Sequence, residues 1–151
     1  MRGLRWLGLG LPLAVPFAAL WARQREARIL RTGRALTEDE QAIARAMGVA
    51  QPERVRLLQL SRWPLPMRWF SRHVTAMALG HSICCVGDEV TPRLLAHELR
   101  HVQQVEAAGS LRNFLTVYLA EVARHGYWHA PLEVDARRAA QAYSDVAGRP
   151  S

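Results

Sequence analysis

The tightest constraint on this chain is the stretch from Thr91 to Gly109, TPRLLAHELRHVQQVEAAG. Thr91 offers a side-chain oxygen to the first free amides of a helix, and Pro92 at the first helical position has no N–H to waste. Gly109 supplies the stop. Between them Leu94, Leu95, Leu99, Val102 and Val105 make one apolar stripe. The stretch therefore predicts a core-packed helix running to about Ala108. That helix carries His97, Glu98 and His101. Residues four apart stand about one turn apart, so both imidazoles project from one face and can reach a single ion.

Neutral imidazole suits zinc in tetrahedral geometry. Glu98, directly after the first histidine, falls beside such an ion rather than on it. Zinc lowers the pKa of a bound water, and Glu98 is placed to take its proton as a general base. An H-E-x-x-H match arises by chance in roughly one chain in a hundred of this composition, so the reading needs a third ligand. HAPLEVDARR supplies the candidate, Glu133, in the first turn of a helix opened by Pro131. Asp135 and His129 are the alternatives. Asp135 points about 200° round the helix from Glu133, so only one of the two carboxylates is expected to face the zinc helix. Arg137, one turn below Glu133, can orient its carboxylate.

A first-turn glutamate on a later helix, after H-E-x-x-H, resembles the gluzincin metallopeptidases. HELRHVQQ and PLEVDARRAA are similar to the matching segments of small bacterial zincin-like domains. The resemblance spans about Leu36 to Tyr143, and its specific part is these two motifs. It implies a zincin-like α+β fold that hydrolyses peptide bonds, with His97, His101 and Glu133 on Zn2+ and Glu98 as base. Larger gluzincins often carry an aspartate four residues after the ligand glutamate; Arg137 stands there in this chain. The resemblance also implies a strand along the cleft whose edge receives an extended peptide or protein substrate. TAMALGHSICCV is the candidate strand, and His81 is a candidate lining residue. Tyr127, Trp128 or His129, just before Glu133, can donate a hydrogen bond to a tetrahedral intermediate. The competing reading is a catalytically inactive, membrane-associated zincin-fold binding module. Glu98 favours the enzyme, because a purely structural site has no use for a base beside an open position.

The rest of the chain predicts the frame. LTEDEQAIARAM carries a capping box, Thr37 with Glu40, and Gly48 ends that helix. A strand is expected around Val55, Leu57 and Leu60, stopping in a loop at Pro64 and Pro66. A second strand, or a hairpin turning near Gly80 and His81, follows. Ser110 caps a helix that stops at Gly126, and Pro131 opens the last one. The expected fold is α+β: a small antiparallel or mixed sheet packed on the active-site helix, with two further C-terminal helices. Cys84 and Cys85 are the only cysteines and are adjacent, which excludes a disulfide framework and suits a buried strand.

Residues 1–34 read as a separate segment before a catalytic domain at 35–147. Trp6 to Ala22 carries no charge, and arginines flank it. Pro12 and Pro16 weaken it as a helix. A single membrane anchor with Trp6 and Trp21 at its interfaces is the leading expectation. A cleaved signal peptide with an exported domain, and a helix lying in the membrane interface or packed on the domain, are the alternatives. The denser arginine after the segment leans toward a cytoplasmic-face domain. All 20 basic residues are arginine, and the net charge is +7. They show no interleaving with aromatics, so no nucleic-acid partner is expected.

Overall fold

In this computed structural model the described residues are 7–63 and 74–147. The loop expected at Pro64 and Pro66 lies outside them. The elements in chain order are α1 (Leu7–Thr32), β1 (Arg34–Ala35), α2 (Glu38–Ala46), β2 (Arg56–Leu60), β3 (Ala76–Leu79), β4 (Ser82–Val86), α3 (Pro92–Ala107), α4 (Leu111–His125) and α5 (Pro131–Ala147). Among the described residues this is a mixed α+β fold of five α-helices around one four-stranded sheet.

Local chemistry sets the element ends as expected. The Thr37 hydroxyl accepts from the Glu40 amide at 3.2 Å, and the Glu40 carboxylate accepts from the Thr37 amide at 2.8 Å. Thr91 and Ser110 cap α3 and α4 through the amides of Leu94 and Asn113. TAMALGHSICCV is a hairpin, β3 and β4, turning at Gly80, whose φ of +62° favours a residue without Cβ.

The sheet order is β1-β2-β4-β3. β2 runs parallel to β4, with Leu57 opposite Ile83, while β1 and β3 are antiparallel to their neighbours. The sheet is therefore mixed. Both of its faces are covered. Leu57, Ile83 and Cys85 join Leu95, Leu99 and Val102 of α3 in the main core. Cys84 faces the other way, in a cluster with Ile29 of α1 and Trp63. Alternation along the strand thus sends the adjacent cysteines to opposite faces, and burial pushes their thiols up to about 11 and about 12. Each buried leucine here is worth about 2 kcal/mol of apolar transfer.

The N-terminal run is one continuous helix through Pro12 and Pro16. No helix among the described residues is long and apolar enough to cross a membrane. α1 packs along α4 and the sheet, where Ala22 meets Leu79, Leu111 and Phe114. Glu26 accepts from the His81 amide at 3.0 Å, and a Cβ on Gly80 would meet that carboxylate at 1.8 Å. The hairpin turn and α1 are thus fitted to one another.

Candidate metal centre

α3 sets His97 and His101 one turn apart with their Nε2 atoms 3.2 Å from each other. Glu133, in the first turn of α5, turns its carboxylate back on both. Its Oε2 is 3.4 Å from His97 Nε2, and its Oε1 is 3.4 Å from His101 Nε2. A tetrahedral zinc with ligands at about 2.05 Å implies donor–donor edges of about 3.3 Å. The two imidazoles have that spacing and each lies 3.4 Å from a different oxygen of Glu133; with one donor atom from each residue, the three lie within 4.8 Å of one another. Among the described residues, this triangle is the one group of three His, Cys, Asp or Glu donors drawn together in this way.

The orientation of His101 follows from its neighbours. Gln104 spends its Nε2 hydrogens on the Leu132 carbonyl at 3.0 Å and on Asp135 Oδ2 at 2.9 Å. Its Oε1 therefore accepts from His101 Nδ1, at 2.8 Å. With the proton on Nδ1, the lone pair of Nε2 points at His97 and Glu133. Several lone-pair atoms then converge where few protons are available, an arrangement that asks for a cation at its centre. The donor set of two imidazoles and one carboxylate, with its supports in place, fits zinc.

Glu133 is held from both sides. The Tyr118 hydroxyl on α4 donates to Oε1 at 2.8 Å, and Arg137 reaches Oε2 at 3.5 Å. Arg137 also donates to the Trp128 carbonyl and lies over that indole. Burial pushes the Glu133 carboxyl up, but the neighbouring His101 and His97 imidazoles and the Tyr118 hydroxyl outweigh it and hold the group well below its usual range. Glu98 is 4% exposed and outside the ligand triangle, facing a cavity of about 320 Å³ together with His97. Burial pushes its carboxyl up, while the two histidines and the Ala78 amide pull it back only in part.

β3 forms the wall opposite. Among the described residues it pairs with β4 alone, as an edge strand. The Val86 amide donates to the Thr75 carbonyl. By antiparallel alternation, Ala76 and Ala78 turn their amides and carbonyls away from β4, toward the cleft. Tyr127 completes the rim: it lines the cavity with His97 and Glu98, and burial beside Glu133 pushes its hydroxyl up to about 12.

His97, Glu98, His101 and Glu133 thus come together, and Arg137 reaches Glu133 as its spacing suggests. Asp135 is not in the triangle, yet it also touches α3, through Arg100 at 2.7 Å and through Gln104. The expectation that only one carboxylate faces α3 is corrected: the two helices pack along enough length for residues on two flanks of α5 to reach it. His129 is exposed outside the group, and His81 bonds Glu106 at 2.9 Å, away from the cleft. Sequence reasoning missed Gln104 and Tyr118. Gln104 had a signal, three residues after His101 on one face. Tyr118 had none, since nothing in α4 says which side meets α5. No family model, curated protein or solved structure matches the chain.

Proposed function

We propose that the protein is a zinc-dependent metallopeptidase of zincin-like type, hydrolysing peptide bonds in a peptide or protein substrate. The observation that carries this reading is the His97–His101–Glu133 triangle with a buried carboxyl, Glu98, beside it and outside it. A site that only binds metal for structure has no need of that neighbour.

When bound, zinc supplies Lewis acidity toward a carbonyl oxygen and makes a water more acidic. The chain's own residues do the rest. Glu98 takes a proton as the water oxygen adds to the carbonyl carbon. It then gives that proton to the amide nitrogen as the C–N bond breaks. Its elevated pKa brings it closer to neutral working conditions than a solvated glutamate. Tyr127, which lines the cavity with His97 and Glu98 and stays protonated through the physiological range, is the proposed donor to the developing oxyanion. An extended substrate adds beside β3, using the outward groups of Ala76 and the Ala78 carbonyl, since the Ala78 amide serves Glu98.

Elemental analysis of purified protein is expected to return one zinc per chain, and His97→Ala to abolish it. Cleavage of casein, with Glu98→Gln as control, tests the chemistry. Equal cleavage by wild type and Glu98→Gln would assign the activity to a contaminant. Stoichiometric zinc without cleavage of casein or of the chain itself would favour the binding-module reading.

A further inference from the structure

A second cavity, of about 230 Å³, lies on the sheet face opposite α3. Leu58 and Leu60 of β2, Met77 and Cys84 give it an apolar floor, and Trp21 and Trp63 add aromatic walls. Three arginines line it as well: Arg25, Arg28 and Arg62. Trp21, Arg25 and Arg28 recur at positions i, i+4 and i+7 of α1, so one face of that helix carries all three. The Arg25 guanidinium lies 5.7 Å from the Trp21 ring centroid.

These guanidiniums lack counter-charges. Arg34, Arg100 and Arg137 each hold a carboxylate, but no ion pair among the described residues uses Arg25, Arg28 or Arg62. The residues outside the description contain no aspartate or glutamate that could serve. An apolar slot bordered by unpaired guanidiniums is complementary to an amphiphile with an anionic head. The same helix also exposes Phe17 (75%) and Leu20 (58%) next to Trp21. Large apolar side chains beside a basic face are the pattern of a helix that lies in a membrane interface.

We propose that this groove binds an anionic phospholipid at the membrane surface, its phosphate on Arg25, Arg28 and Arg62 and an acyl chain over Leu58, Leu60 and Cys84. The site is independent of zinc and of peptidase activity. It shares Trp21, Met77 and Leu79 with the cavity beside Glu98. A lipid held there therefore keeps the catalytic side close to the bilayer.

The test uses the full chain and vesicles of phosphatidylcholine with and without phosphatidylglycerol. Wild type is expected to prefer the anionic vesicles. The combined Arg25→Glu, Arg28→Glu, Arg62→Glu variant is expected to bind them about 100-fold more weakly. Arg23→Glu, Arg112→Glu, Arg124→Glu makes the same charge change outside the groove and is expected to lose much less. Equal losses in the two variants would mean general attraction of a basic protein to any polyanion, and would overturn the site. Leu60→Trp fills the groove and leaves the charges. Calorimetry with dispersed dioctanoyl phosphatidylglycerol is expected to show about tenfold weaker binding for it. Binding equal to wild type would overturn the acyl-chain placement. Zinc content and thermal melts establish that each variant is folded, and Arg→Gln replacements stand in for any reversal that is not.

Discussion

Glu98 in the middle of α3 and Glu133 in the first turn of α5 are both buried and both face the same two histidines, yet their carboxyls are displaced in opposite directions. Burial acts alike on each. The difference lies in the partners. Glu133 has His97, His101, Tyr118 and Arg137 within hydrogen-bonding or ion-pairing reach, so its anion is stabilised in place. Glu98 has the Ala78 amide and more distant imidazole charge, so its anion stays poorly solvated. The same side chain is thus held as an anion in one region and kept nearer its neutral form in the other, which is the difference that the proposed ligand and base roles require.

The hardest blow to this comparison comes from Glu98→Gln. It is expected to reduce peptidase turnover at least about 100-fold while zinc content stays near one per chain. Loss of zinc in that variant would make Glu98 a ligand and erase the division of roles. Next in size are the supports. Tyr118→Phe and Gln104→Ala are each expected to weaken zinc binding by about 10- to 100-fold, read by competition with a chelator. Unchanged affinity in both would mean that the supports do not set the ligands.

The metal-free protein sharpens the contrast. In chemical denaturation Glu133→Gln is expected to lower stability by about 2 kcal/mol, because the buried partners lose its charge and one of its two acceptor oxygens. Glu98→Gln is expected to leave stability equal or raise it by up to about 1 kcal/mol, because a poorly solvated carboxyl is removed. Losses of equal size would show that burial, not partner supply, separates the two glutamates.

Glu40 shows the partner effect at a half-buried site away from the metal centre. Its hydrogen bonds with Arg34, 2.6 Å to each carboxylate oxygen, hold its carboxyl below the usual glutamate range. A lowered folded pKa means that the stabilisation is complete above about pH 4.5 and is lost as pH falls through the folded value. Glu40→Gln keeps an acceptor for the cap but loses the charge. Its stability deficit is expected to stay under about 1 kcal/mol at neutral pH and to fade in acid. A deficit independent of pH would assign the effect to the cap alone.

The local frame was legible because its signals are local. Thr37, Thr91 and Ser110 cap from within one turn, Pro92 and Pro131 open helices, and Gly80 turns the hairpin. The pairing of His97 with His101 belongs to the same class, since helical periodicity alone aligns them. Even Arg137 beneath Glu133 needed only the helix repeat. The second group of features depends on which faces meet. Tyr118 reaches Glu133 because α4 and α5 fold back on one another, and Asp135 reaches Gln104 because α5 lies along α3. The parallel pairing of β2 with β4, which leaves β3 at the edge beside Glu98, is likewise non-local. So is the packing of α1 over the sheet, where Trp21, Arg25 and Arg28 border a groove that no run of neighbouring residues announces. Caps, turns and periodicities are decided over a few bonds of chain, whereas partners such as Tyr118 and Gln104 are decided by the burial of apolar faces from distant segments, and that sum exists only in the folded molecule.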